Sequence, residues 1–168
     1  MAEKIGIIAF SFALTQDEME RRFPNQCNKK LGMKTRHYYR KLENEGHLPV
    51  LIVQWEIALD YRFAAMNINP DMIVRKHREC GKYLDSDEII AQAVPFLKQQ
   101  EVTKVISVAQ WLQNFKCRQI LKKAGFEILP VKIGPIGFCK DSLQWWTRGP
   151  IRLVIYTIKQ IFFGHHGR

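Results

Sequence analysis

Gln54-Trp55-Glu56 puts an amide, an indole and a carboxylate in three consecutive positions at the end of an apolar run. A carboxylate beside an aromatic face at a strand end can take a proton as a general base or accept bonds from ribose hydroxyls, and Glu56 is the candidate for either role. A second group, Gln110-Trp111-Leu112-Gln113, precedes Lys116 and Arg118. It gathers Gln110, Gln113 and the Arg118 cation near one helix start, where an anionic group is favoured. A third, Asp141 to Arg148 (DSLQWWTR), offers stacking faces on Trp145 and Trp146 and an anion clamp at Arg148. Ser11 opens a long loop after the first apolar run. Each group also has a plain structural reading: Trp55 in the core, Glu56 opening a helix, Asn114 as an N-cap, and the paired tryptophans roofing the sheet.

Several chemistries lack their patterns. The chain has no GxGxxG, no GxxxxGK[ST], no HExxH and no GxSxG, which argues against a dinucleotide fingerprint, a P-loop, a zincin and an α/β-hydrolase. Cys27, Cys80, Cys117 and Cys139 lie far apart without a CxxC pair. His37, His47 and His77 are isolated, and His165-His166 stand in a terminal GHHGR. Asp85, Asp87 and Glu88 are acidic enough to suggest a metal, but a helix start accounts for them, and no metal site is expected.

The 168 residues suit one domain spanning 1–168, and 46% apolar with 25% charged residues is the balance of a globular protein. Net charge is +10 and unevenly spread: residues 1–101 carry 15 cations against 14 acids, residues 102–168 carry 11 against two. A one-sided basic half suggests an anionic partner. One reading is a small anionic or nucleotide-like molecule. The competing reading is a non-catalytic basic module in which Lys29–Lys41, with six cations, no acids, and Tyr38 and Tyr39 between them, meets RNA or an anionic surface. The Ile151–Phe163 stretch contains Arg152 and Lys159 and is shorter than a spanning helix, and the start lacks a secretory pattern. The expectation is a cytoplasmic protein without a membrane span and with reduced thiols.

Elements must hold these groups. Lys4–Phe10, Val50–Gln54, Met72–Val74, Lys104–Ala109 and Phe126–Val131 read as buried strands. Helices are expected over Asn28–Glu45, Glu56–Met66, Ser86–Gln100 (kinked at Pro95), Asn114–Ala124 and Pro150–Phe162, with a short helix possible in the first loop. Strict alternation argues an α/β fold with a mainly parallel sheet of about five strands and helices on both faces. Ligands in such folds sit beyond the carboxyl ends of the strands, where Ser11, Gln54, Trp55, Glu56, Gln110, Gln113, Arg118, Trp146 and Arg148 are all expected.

These loops resemble the YdcF-like family (ElyC/SanA/YdcF, the DUF218 domain). Ser142-Leu143-Gln144-Trp145-Trp146-Thr147-Arg148 is similar to its S-x-Q-x-W-T-R stretch. Lys104–Cys117 resembles its strand followed by a loop and helix, with Gln113 at the usual His position and Lys116 at the usual Arg position. Leu48–Ala58 is similar to a second strand with a Q-W-E continuation, and Pro24–Asn28 to a P-x-x-S-N turn with Cys27 in the Ser place. The family's Gly-Gly after the second strand is missing. The resemblance implies a Rossmann-like three-layer sandwich and names S-adenosylmethionine as a possible cofactor. It implies no agreed reaction.

Overall fold

The computed structural model of the protein describes residues 2–21, 23–76 and 84–163. Five strands form one sheet: β1 (Lys4–Ala9), β2 (Leu48–Gln54), β3 (Met72–Val74), β4 (Lys104–Val108) and β5 (Glu127–Ile128). All pairings are parallel, in the order β3-β2-β1-β4-β5. The placement of β1 follows from its sequence. Ile5, Ile7 and Ala9 feed one apolar cluster while Ile8 and the following Phe10 feed another, so both faces need cover.

The helices supply it: α1 (Gln16–Arg21), α2 (Gln26–Asn44), α3 (Trp55–Ala58), α4 (Arg62–Ala65), α5 (Ser86–Gln99), α6 (Trp111–Lys123) and α7 (Pro150–Phe163). One face is packed by α2 through Leu31, Tyr38 and Leu42, with Ile57, Phe63, Ile133, Ile136 and Leu153 beside it. The other is packed by α5 and α6 through Ile89, Ala93, Leu97, Cys117 and Leu121. The result is a Rossmann-like three-layer sandwich. Gly6 makes the second packing close. A Cβ there would stand 2.9 Å from the Leu97 side chain and 3.0 Å from Val105.

The chain winds from β1 outward to β3, crosses to the opposite face through α5, and returns at β4. The strand order therefore reverses between β1 and β4, and a crevice opens there at the carboxyl ends.

Three expected elements differ. The fifth strand is only two residues long, because the chain leaves the sheet ahead of Pro130, which lacks a donor for the ladder. The helix expected over 56–66 is broken into α3 and α4. Between them the buried Asp60 carboxylate accepts from the Arg62 backbone N–H at 3.2 Å and meets Arg36 of α2 at 2.5 Å. Burial pushes that carboxyl up, but hydrogen bonds from Arg62 and Arg36 outweigh it and hold Asp60 below the ordinary range. The sixth helix starts three residues early. Gln110 is its N-cap, with its amide oxygen accepting from Leu112 N at 3.0 Å, whereas Asn114 lies inside the helix. Pro95 sits within α5 on its exposed side.

Candidate functional site

A cleft of ≈ 110 Å³ lies at the switch point. Ser11 and Phe12 enter it from the end of β1, Gln113 and Lys116 from the start of α6, and Ser86 from the start of α5. Gln144 and Trp146 close it from the long segment after β5, and Tyr156 of α7 completes the wall. Two long helices thus begin at the cleft, and their amino ends favour negative charge nearby.

The loop after β1 is held open by a buried polar cluster. The Glu18 carboxylate accepts from Thr15 N (2.9 Å), Asn25 N (3.0 Å), Asn25 Nδ2 (2.9 Å) and Asn28 Nδ2 (2.7 Å). Asn28 in turn accepts from Phe12 N at 2.8 Å and donates to the Ala13 carbonyl. Ala13 takes a φ of 73°, a left-handed conformation costly for a residue with a Cβ. Sequence reasoning missed this cluster. The trace it leaves is Glu18 of α1 with Asn25 and Asn28 at the start of α2.

The segment after β5 is fixed to the same loop. The Ser142 hydroxyl accepts from Leu14 N, Gln144 N and the Thr147 hydroxyl, the last at 2.7 Å, and Leu143 N donates to the Leu14 carbonyl at 2.7 Å. Arg148 Nε donates to the Ser142 carbonyl at 2.7 Å. These bonds wind residues Trp145–Arg148 into a 3₁₀ turn. Trp146 then stacks on Tyr156, with ring centres 4.4 Å apart and planes 9° from parallel. Gln144 points inward. It is 6% exposed, and neither its amide oxygen nor its amide nitrogen has a partner.

Behind the cleft runs a chain of amides and hydroxyls. Gln113 Nε2 donates to the Ser11 carbonyl and to the Ser86 hydroxyl, both at 3.2 Å, while its oxygen is unpartnered. Ser11 N donates to Gln54 Oε1 at 2.9 Å, and Gln54 Nε2 donates to Glu56 Oε1 at 3.2 Å. Glu56 is 1% exposed. Burial pushes its carboxyl up to about 8, and the negative Glu18 adds to the push; bonds from its own backbone N–H, Ser11 and Gln54 pull the other way. The shift favours the protonated carboxyl near neutral pH. The base role expected of it belongs to higher pH.

The expected site residues divide accordingly. Ser11, Gln113 and Trp146 line the cleft, and Gln54 and Glu56 join it through Ser11. Gln110 caps α6, Trp55 packs half-buried against the α5 side, and neither Arg118 nor the exposed Arg148 lines the cleft. Lys116, not Arg118, is the cation there, 2.5 Å from Asp87. Asp85 and Glu88 form a reciprocal capping box at the start of α5. Among the described residues no three or more His, Cys, Asp or Glu side chains are grouped to hold a metal.

Three of the six cations in the basic run of α2 are set against carboxylates. Arg36 is buried on Asp60, Arg40 pairs with Glu43, Lys41 lies 3.7 Å from Glu45, and the Tyr38 hydroxyl donates to the Lys132 carbonyl. Burial pushes the Cys27 thiol up to about 11 and Cys117 to about 12, so neither is a thiolate at neutral pH. His77, Cys80 and His165-His166 lie outside the described residues. No family model, curated protein or solved structure matches the chain.

Proposed function

We propose that the protein binds a small anionic or nucleotide-like molecule in the cleft between the carboxyl ends of β1 and β4. One observation carries this reading: Gln144, a residue of the cleft wall, is buried with both polar atoms of its side chain unpartnered, and Gln113 of the same wall has an unpartnered buried oxygen. An unmet buried polar atom costs about 1–3 kcal/mol, a cost that native proteins tolerate where a ligand repays it. A primary amide offers one donor and one acceptor side by side, which matches the edge of a nucleobase or another planar amide. The amino end of α6, which has no acid in its first turn, suits a phosphate or carboxylate, whereas the start of α5 carries Asp85 in the cleft wall and Asp87 on Lys116.

Size sets the class. A cleft of ≈ 110 Å³ takes one ring or one head group, against roughly 300–1,000 Å³ for pockets that enclose a whole ligand. The rest of a nucleotide would lie along the rim. S-adenosylmethionine enters as a candidate on the YdcF-like resemblance alone. Thermal-shift screening against nucleotides, sugar phosphates and S-adenosylmethionine tests the reading. The expected result is a raised midpoint with a nucleotide or sugar phosphate that Gln144→Leu abolishes. No shift with any of these compounds, or one that Gln144→Leu leaves intact, would overturn it.

A further inference from the structure

The inner and outer faces of α7 are both apolar. Leu153, Tyr156 and Thr157 turn inward, Leu153 into the core and all three along the cleft. Ile151, Val154, Ile155 and Ile158 recur at i, i+3, i+4 and i+7, and so form one stripe. Every member is exposed: 73%, 43%, 52% and 49%. A soluble helix normally shows water its charged side here. Four adjacent branched aliphatic side chains instead make a patch of the kind that marks an interaction surface.

The charge around the stripe selects the occupant. Arg152 and Lys159, seven residues apart, lie on one flank, both exposed, and Arg148 is exposed just before the helix. From residue 142 to the end the sequence has four cations and no acid. A second copy meeting this patch about a two-fold axis would set cations against cations with no carboxylate from residue 142 onward to pair them, which is costly. A surface of anionic lipid headgroups supplies the missing charge along with an apolar interior. Trp145, 42% exposed and set at right angles to Trp146 and Tyr156, stands at the head of the helix. An indole at such an edge favours the boundary between headgroups and acyl chains. Among the described residues no helix is long and apolar enough to cross a membrane, so α7 would lie on the surface.

We infer that the outer face of α7 docks on an anionic lipid surface, with Ile151, Val154, Ile155 and Ile158 entering the acyl boundary and Arg152 and Lys159 meeting the headgroups. The test is co-sedimentation of the full chain with phosphatidylcholine vesicles, with and without phosphatidylserine. Binding is expected only with phosphatidylserine and should weaken as salt rises. An Ile151→Glu/Ile155→Glu variant, whose changes are at exposed positions, should keep its melting midpoint and bind at least about tenfold more weakly. An Arg152→Gln/Lys159→Gln variant, which keeps the stripe, should lose the preference for phosphatidylserine. The inference is overturned if the wild-type chain stays in solution with both vesicles, or if both variants bind as it does. It is also overturned if the glutamate variant disrupts a dimer or an RNA complex while the wild-type chain binds no lipid.

Discussion

Glu18 and Glu56 are both buried carboxyls, in the short helices α1 and α3 that follow β1 and β2, and their surroundings differ sharply. Glu18 accepts from two backbone N–H groups, two asparagine amides and the Thr15 hydroxyl. Glu56 receives Gln54, Ser11 and its own backbone N–H, and its Oε2 is left without a partner. Burial alone does not separate a structural carboxylate from a reactive one, but the number of donors around it does. Five donors hold Glu18 as a fixed acceptor around which the β1 loop folds. Burial, which the bonds from its own N–H, Ser11 and Gln54 do not offset, pushes Glu56 up to about 8, where a proton can move at physiological pH.

The largest break in this comparison is Glu18→Ala. It strips the acceptor from several buried donors at once, each costing about 1–3 kcal/mol when unmet, and urea unfolding should show a loss of about 4 kcal/mol. Because the Glu18 charge also raises Glu56, Glu18→Gln should lower the Glu56 pKa, readable by carboxyl NMR titration. An unchanged Glu56 titration would show that burial alone sets it.

Glu56 itself gives a smaller effect of opposite sign. Its carboxyl binds a proton more tightly in the folded chain, near 8, than at its ordinary value of 4.5. The folded state is therefore favoured fully below pH 4.5, loses stability as pH rises through that window, and loses no more above 8. Glu56→Gln keeps an acceptor for Gln54 and removes the titration. It should flatten this slope and leave the variant more stable than the parent by on the order of 3 kcal/mol at pH 9. A variant with the parent's pH profile would place the shifted titration elsewhere.

The sheet was legible because apolar runs such as Lys4–Ala9 announce burial on both faces, and strand-helix alternation then dictates parallel pairing. The break between α3 and α4 was not, since it depends on Arg36, 24 residues away, reaching Asp60. The strand-end rule brought Ser11, Gln54, Glu56, Gln113 and Trp146 into one region. It failed on Arg118 and Arg148 because sequence does not tell whether a cation faces the crevice; Arg148 turns back to a carbonyl six residues away. Gln144 was visible only as part of a motif. Its importance lies in what it does not touch, and a lack of partners has no sequence pattern.

Two buried glutamines repeat the contrast between the glutamates at smaller scale. Gln110 and Gln144 are 1% and 6% exposed, both beside the cleft. The Gln110 oxygen caps Leu112 N at the start of α6, whereas the Gln144 amide has no hydrogen-bond partner. Gln110→Ala should then cost about 1 kcal/mol, the usual loss of an N-cap. Gln144→Leu conserves much of the volume and removes two unmet polar atoms, so it should leave the unliganded chain unchanged or about 1 kcal/mol more stable. Urea midpoints of the two variants, measured without ligand, decide the matter. If Gln144→Leu is destabilising by as much as Gln110→Ala, the Gln144 amide is part of the scaffold and the cleft has lost its strongest argument for a ligand. If it is neutral or stabilising, the amide is held at a cost to folding, as expected of a group kept for binding rather than for structure.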